Sequence, residues 1–292
     1  MLPPDLGPIL SRLDNLLATF GRDQIAVDLG CGRGSFHYES YPCRVIGIDV
    51  QLPAANLYRD GARIEYVCAD SSGIPLADKS VDAVFSHHTM EHFPDYRQTL
   101  KEIDRVLKDG GLLWIAIPNG YSLDDALYRM VFAGGGHVNR FTHEGLISAV
   151  HELTRFRLRQ QVDLYSSFIY LRKPTPEELQ HFPASARPLA EMPTGFNVAG
   201  VLALNAVTRV ADKLLGSRLS QYGWGFVFGT EDAVLPPLHT AYFNVCSKCG
   251  SGIPADALRS RSTTRRVFGL GIYNCPNCEQ TNSFVEPPAG LA

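Results

Sequence analysis

The chain has 292 residues, with 27 Lys and Arg against 30 Asp and Glu for a formal charge of −3, and it is 45 % apolar and 20 % charged. This ordinary globular composition excludes general disorder, collagen-like repeats and coiled coil. The near-neutral balance excludes whole-chain attraction to nucleic acid or anionic lipid. The length suits one large domain plus a small one.

In chain order, Ile9, Leu10, Leu13, Leu16, Leu17 and Phe20 recur at helical spacing before Gly21 and predict an amphipathic helix over residues 8–20. Arg12 and Asp14 interrupt that stretch, so it fails as a signal-peptide core. Strand-length apolar runs follow at Ile25–Leu29, Val45–Val50, Ile64–Cys68, Val81–Ser86 and Leu112–Ile117. They are continuous rather than alternating, as in strands buried on both faces of a parallel sheet. Tyr96–Leu107 between the last two reads as a helix stopped by Asp109-Gly110-Gly111. Such alternation predicts a doubly wound α/β sheet.

Residues 119–139 read as a loop ending in Gly134-Gly135-Gly136. Thr142 caps a helix to about Leu153, and Phe156–Leu164 reads as a strand. Residues 172–194 look irregular. Residues 197–215 are again helical, with Val201, Leu204, Val207, Ala211 and Leu214 on one stripe, and Tyr222–Thr230 reads as the last strand of the domain. The longest apolar candidate for a membrane span, Phe196–Val207, contains Asn197 and Asn205 and is too short. The expectation is a soluble cytoplasmic protein without a transmembrane segment. Pro236-Pro237 marks a boundary, giving a large domain over 1–230 with an insertion or cap over 165–221, a linker over 231–242, a cysteine module over 243–282 and a disordered tail over 283–292.

The sharpest motif is Asp28-Leu29-Gly30-Cys31-Gly32-Arg33-Gly34, directly after the first strand. Glycines there allow a tight turn and close approach of backbone to a ligand. The spacing is Gly-x-Gly-x-Gly, not the dinucleotide Gly-x-Gly-x-x-Gly. The second strand ends in Asp49, 21 residues after Asp28, and the third in Asp70, another 21 on. A carboxylate at the second strand end can accept both ribose hydroxyls of a nucleoside, and acids at successive strand ends line the crevice where open α/β sheets bind ligands.

VDLGCGRGSF, VIGIDV, CADSSGIPLADKSVDAVFSHHTMEHF and LKEIDRVLKDGGLLWIAIPN resemble the motifs of class I S-adenosylmethionine-dependent methyltransferases, closest to the broad type 11 group, over about residues 20–120. His137-Val138-Asn139-Arg140-Phe141-Thr142 is similar to the segment before the last helix of many such enzymes. The resemblance implies a Rossmann-like, seven-stranded doubly wound sheet whose last strand is antiparallel, with S-adenosylmethionine as cofactor. By it, Gly30, Gly32 and Gly34 pass under the methionine part, Asp49 holds the ribose hydroxyls, Asp70 and Ser71 meet the adenine amino group, and His87 faces the sulfonium.

In-line methyl displacement asks mainly for positioning, worth ~7–11 kcal/mol of barrier. A hydroxyl nucleophile also wants a base, and histidine suits neutral pH. His87, His88, His92 and His137 are the candidates, with His87 and His137 favoured as catalytic by their places in the chain. His88-Thr89-Met90-Glu91-His92 also matches the inverted zinc-protease pattern. That chemistry needs a long helix, which a strand ending near Ser86 and Pro94 close behind do not allow. The fourth strand end reads Ser86-His87-His88 rather than Asn-Pro-Pro-Tyr, which disfavours an exocyclic or amide nitrogen acceptor.

Of seven cysteines, Cys246, Cys249, Cys275 and Cys278 form two Cys-x-x-Cys pairs 25 residues apart. In a non-secreted chain such pairs point to metal rather than disulfides. They resemble zinc-ribbon knuckles, which implies one structural Zn2+ filled by four thiolates, with an iron–sulfur cluster as the lesser alternative. The insert carries Arg259, Arg261, Arg265 and Arg266 against only Asp256 and reads as a solvated mobile loop or a phosphate-binding surface. The expectation is a methyltransferase acting on a small-molecule hydroxyl of a sugar, a lipid-linked group or a secondary metabolite. The alternative is an RNA- or protein-directed enzyme, or a cofactor-sensing module, in which the ribbon docks the macromolecule. The charge balance weighs against nucleic acid as partner, and the oligomeric state is left open.

Overall fold

The structure is a computed structural model that describes residues 16–17, 19–32, 34–36, 38, 41–51, 64–179, 182–235, 238, 242–260, 265–267 and 270–289, the side chains at 177, 178, 260, 265–267 and 270 aside. Most of the helix expected over 8–20, together with Arg33, Pro236, Pro237, Arg261 and the end of the chain, lies outside the described residues.

Seven strands form one sheet: β1 (Ile25–Leu29), β2 (Arg44–Asp49), β3 (Ile64–Cys68), β4 (Val81–His87), β5 (Leu107–Pro118), β6 (Arg157–Tyr165) and β7 (Gln221–Gly229). Their order is β3-β2-β1-β4-β5-β7-β6. β1 to β5 pair in parallel, and β7 runs antiparallel to both β5 and β6. This is the doubly wound α/β sheet expected, with its last strand reversed. Alternate residues of each apolar run feed two separate cores, one on each face. Val84, Leu113, Ile115 and Phe226 belong to one; Phe85, Trp114, Ala116 and Val227 belong to the other. Burial on both faces is why the runs do not alternate with polar residues.

Between the strands lie α1 (Tyr96–Val106), α2 (Leu123–Val131), α3 (His143–Leu153) and α4 (Thr194–Leu215). Asp95 caps α1, Ser122 caps α2 and Thr142 caps α3, each side chain accepting a hydrogen bond from the first helical turn.

The structure departs from the sequence reading in several places. The helix ends at Val106, and strand β5 begins at once at Leu107 rather than at Leu112: Val81 pairs with Leu107 and Ala83 with Leu112, so Asp109-Gly110-Gly111 is an irregularity inside the strand. Helix α2 lies inside the expected loop. It buries Asp124 and Asp125 along with Val131 and exposes Met130, so acids share its inner face. Helix α4 likewise buries Asn197, Asn205, Thr208, Arg209 and Asp212 and exposes Val207 and Leu214, two of the five residues on the expected stripe. The insert between the cysteine pairs is structured, not a mobile loop, over the short helix α5 (Ala255–Ser260) and strand β10 (Arg265–Val267).

The cysteine module combines β8 (Asn244–Val245) and β9 (Gly252–Ile253) with a second sheet of β10, β11 (Leu270–Asn274) and β12 (Thr281–Phe284). The described part of the expected tail, residues 283–289, packs on the module in part. Phe284 closes β12, Val285 is buried against Tyr165 and Phe243, and Glu286 pairs with Arg259. In the expected linker, Ala233, Leu235 and Leu238 pack on the sheet core. Among the described residues no helix is long and apolar enough to cross a membrane.

Candidate functional site

A cavity of about 400 Å³ opens at the C-terminal ends of β1, β2 and β3, beside the point where the strand order reverses between β1 and β4. That is where open α/β sheets bind ligands, and the volume lies within the roughly 300–1,000 Å³ of small-molecule sites. Of the residues singled out in the sequence, Gly30, Asp49, Asp70 and Ser71 line it, as do Thr89, His92, Phe93 and Asp95 from the segment after β4.

The loop after β1 is held from below. Asp28, fully buried, accepts from Ser35 N at 2.9 Å, from Ser35 Oγ at 2.7 Å and from the Tyr38 hydroxyl. Burial raises its pKa, and these bonds oppose the rise. Asp28 therefore shapes the loop from inside and does not line the cavity. Gly30 sits at φ +74°, and a Cβ there would stand 2.7 Å from Thr89 Cγ2. Thr89 in turn donates to Leu29 O at 3.0 Å, so glycine is what lets the β1 and β4 loops touch. Asp49 accepts from Gly32 N at 2.9 Å and from Gln51 N at 3.0 Å. These two bonds leave lone pairs on both carboxylate oxygens, since each oxygen can accept twice. Asp70 is exposed and accepts from Ser72 N, which holds its pKa below the usual value. The Ser71 hydroxyl pairs with Thr99 Oγ1 at 2.9 Å.

The favoured histidines separate. His87 ends β4, and Trp114 Nε1–H points to its Nδ1 at 3.4 Å; it is not among the cavity residues. His88 adopts φ +57°, and its Nε2 pairs with the Tyr222 hydroxyl at 2.9 Å. Only Met90–His92 is helical after β4, and as a 3-10 turn, so the protease pattern has no helix to stand on. His137 instead meets His92, with ring centroids 4.8 Å apart. Asn139 makes the bridge: its N–H donates to Glu91 O at 3.0 Å and its Nδ2 to Phe93 O at 2.7 Å. Four successive residues at positive φ, Ala133 to Gly136, curl the chain so that His137 stacks on Tyr128. A Cβ at Gly135 would fall 2.1 Å from that tyrosine ring.

Behind His137 lies α2. His137 Nδ1 is 2.8 Å from Asp125 Oδ1, and Arg129 Nε donates to Asp125 Oδ2 at 2.6 Å. Burial works against the Asp125 charge, but the bonds to His137 and Arg129 outweigh it and hold this carboxyl below its usual range. Asp124, which accepts from the Ser166 hydroxyl, is pushed up to about 6, chiefly by burial. Glu91, 2 % exposed, is pushed up to about 8 by burial, with the Asp125 charge adding to it. Apolar periodicity does not reveal Asp125, an acid on the buried face of α2; the Ser122-x-x-Asp125 capping pattern is the sequence signal for it.

The four paired cysteines converge, with all four sulfurs within 4.8 Å of one another. Cys246 and Cys278 sulfurs are 3.6 Å apart, as are those of Cys249 and Cys275. A tetrahedral ion with metal–sulfur bonds of ~2.3 Å needs sulfurs ~3.8 Å apart, so the set fits. The two knuckles share one turn: Gly250 N donates to Cys246 O and Glu279 N to Cys275 O, with Gly250 and Glu279 both at positive φ. Asn282 ties them together by donating to Cys246 Sγ and accepting from Ser247. Arg259 is neutralised by Glu286. The side chains of Arg265 and Arg266 lie outside the described residues.

Residues 27–115 match the family described as Methyltransferase domain. The chain is 31 % identical over 135 residues to the malonyl-[acyl-carrier protein] O-methyltransferase of Hahella chejuensis, covering 43 % of this chain and 48 % of that protein. It is 34 % identical over 125 residues to the trans-aconitate 2-methyltransferase of an Azoarcus species, covering 40 % and 48 %. It thus spans about half the length of these curated relatives. Among solved structures, it is similar to phosphoethanolamine N-methyltransferase 2 of Haemonchus contortus in complex with S-adenosyl-L-methionine, with a TM-score of 0.50 at 18 % identity over 77 % of this chain and 52 % of that one. A chain of the complex between the Haloferax volcanii Trm112 methyltransferase activator and a methyltransferase gives 0.50 at 20 % identity over 74 % and 86 %. The sheet is the Rossmann-like methyltransferase fold, and the matched residues are an S-adenosylmethionine-dependent methyltransferase domain.

Proposed function

We propose that the whole chain transfers a methyl group from S-adenosylmethionine to an oxygen of a small-molecule acceptor, a hydroxyl being the first choice. The observation that carries this is the cavity with Asp49 at the end of β2, Gly30 beneath it, and Asp70 and Ser71 beyond. In this reading Asp49 takes the ribose hydroxyls on its spare lone pairs. Asp70 and Ser71 border the adenine, and the Gly30–Gly34 loop, braced by Asp28, passes under the methionine part. When bound, the sulfonium supplies an activated methyl group for in-line displacement, and the protein's task is to align the acceptor. His87 and His137 are the histidines assigned to the acceptor side. That the Hahella relative is an O-methyltransferase supports oxygen as the nucleophile.

Asp49→Ala tests the cofactor site. Loss of hydrogen bonds to a charged group should weaken S-adenosylmethionine binding in calorimetry by ~1.5–3 kcal/mol, about ten- to a hundredfold. Unchanged affinity would remove the ribose assignment.

The cysteine module is assigned one structural zinc. Four thiolates at near-tetrahedral spacing leave no open position for catalysis, and they make up much of the module's small core.

A further inference from the structure

Beside the cavity, two histidines and a glutamate meet in the form that metal ligands take. The Gly136 carbonyl can only accept, so His92 Nδ1–H donates to it at 3.0 Å; His137 Nδ1–H likewise donates to the Asp125 carboxylate at 2.8 Å. Both imidazoles are thereby held in the tautomer that leaves Nε2 its lone pair. A carbonyl or carboxylate behind the ring is the support that metal-ligating histidines carry. The third member is Glu91, whose Oε2 is buried with no hydrogen-bond partner. A buried carboxyl in that state gives up its charge unless a cation meets it. One donor atom from each of Glu91, His92 and His137 lies within 4.8 Å of the others. Donors sharing an ion at ~2.1 Å stand roughly 3–3.4 Å apart, so small side-chain rotations close the set.

The surroundings also call for positive charge. Asp124 and Asp125 are buried behind His137, and Arg129 pairs with Asp125. Among the described residues, the ion-pair partner of Glu91 is His88 Nδ1, at 3.9 Å. The Ala133–Gly136 curl and the Asn139 bridge bring His137 to Glu91 and His92 from a distant part of the chain.

We propose that Glu91, His92 and His137 form a binding site for a divalent first-row transition-metal ion at the edge of the cavity. Two imidazoles and one carboxylate suit such ions better than Ca2+ or Mg2+, which prefer all-oxygen sets. Three protein ligands leave positions open. His92 also lines the cavity, so an oxygen of an acceptor is the natural occupant of an open position. That use rests on the methyl-transfer reading, whereas ion binding does not.

The test is titration of Mn2+ into the full-length protein with its cysteine site loaded with zinc, followed by loss of the free-ion EPR signal. Mn2+ matches thiolates poorly, so it reports this site alone. A single Mn2+ should bind per chain, saturably and below millimolar concentration. Glu91→Gln and His137→Gln should each weaken binding at least tenfold, and Asp125→Asn by ~10–100-fold. Glu91→Gln preserves shape, and an unfolding temperature no lower than the parent's would show that the loss is local. Absence of Mn2+ binding, or binding that all three variants retain, overturns the site. Calorimetry with S-adenosylmethionine on the same samples is read separately: failure there overturns the methyl-transfer reading and leaves the metal site standing.

Discussion

Cys275→Ser should release one zinc equivalent per chain and unfold the module around β8–β12. Structural zinc contributes an apparent ~10–16 kcal/mol in small metal-folded modules. The core here has little to replace it. Its buried members are Cys246, Ile253, Leu258, Tyr273 and Cys275, two of them ligands themselves. Elemental analysis of parent and variant, dialysed alike, should differ by one zinc. A thiol-specific mercurial should release that zinc from the parent only, and the near-ultraviolet signal of buried Tyr273 should be lost in the variant. S-adenosylmethionine affinity should survive, because the cavity is built from β1 to β4 while the module meets Tyr165 of β6, the far edge of the sheet. Equal zinc in both proteins, or visible absorbance from bound iron, would remove the zinc assignment. Loss of cofactor binding would show that the two sites are not separable.

The parallel sheet was legible because its signal is local and redundant. Five apolar runs, a glycine loop and two aspartates at matching strand ends all agree, and β1 to β4 fall within a residue of their expected ends. The cysteine pairs were legible for a similar reason, since paired two-residue spacing is specific to one turn geometry. What escaped lies where polar side chains point inward. Helix α2 buries Asp124 and Asp125, and α4 buries Asn205, Arg209 and Asp212, so a search for apolar periodicity missed the first and mistook the inner face of the second. The meeting of His137 with His92 was also beyond local reading. It depends on three glycines at positive φ and on Asn139 reaching back to Glu91 and Phe93, contacts that sequence spacing does not announce. Glu91 and His92 stand out in the sequence within a pattern whose other histidine, His88, pairs its Nε2 with Tyr222.

Arg209→Met should cost on the order of 3 kcal/mol or more, because it strips partners from several buried acceptors at once. The guanidinium is 1 % exposed. Its Nε donates to Phe243 O at 2.7 Å, Nη2 to Ser166 O at 2.6 Å, and Nη1 to Asn205 Oδ1 at 2.6 Å and Asn205 O at 3.2 Å. Burial lowers its pKa to about 10, which still leaves it charged at neutral pH. Three separate segments end on this one side chain: the stretch after β6, helix α4, and the strand entry of the cysteine module. Methionine keeps much of the volume but satisfies none of the acceptors, so packing alone cannot compensate. The unfolding temperature should fall by about 6–12 °C. Protease cleavage within residues 231–242 should speed up as Phe243 loses its hold, even though its ring meets Tyr165 edge to face with centroids 5.1 Å apart. Zinc content should stay at the parent value, since none of the four cysteines touches the arginine. An unchanged melting temperature would mean that water or a rearranged loop satisfies these carbonyls. Unchanged cleavage with lowered stability would place the arginine's role within α4 and the segment after β6, leaving the module held by Phe243 and Val285 against Tyr165.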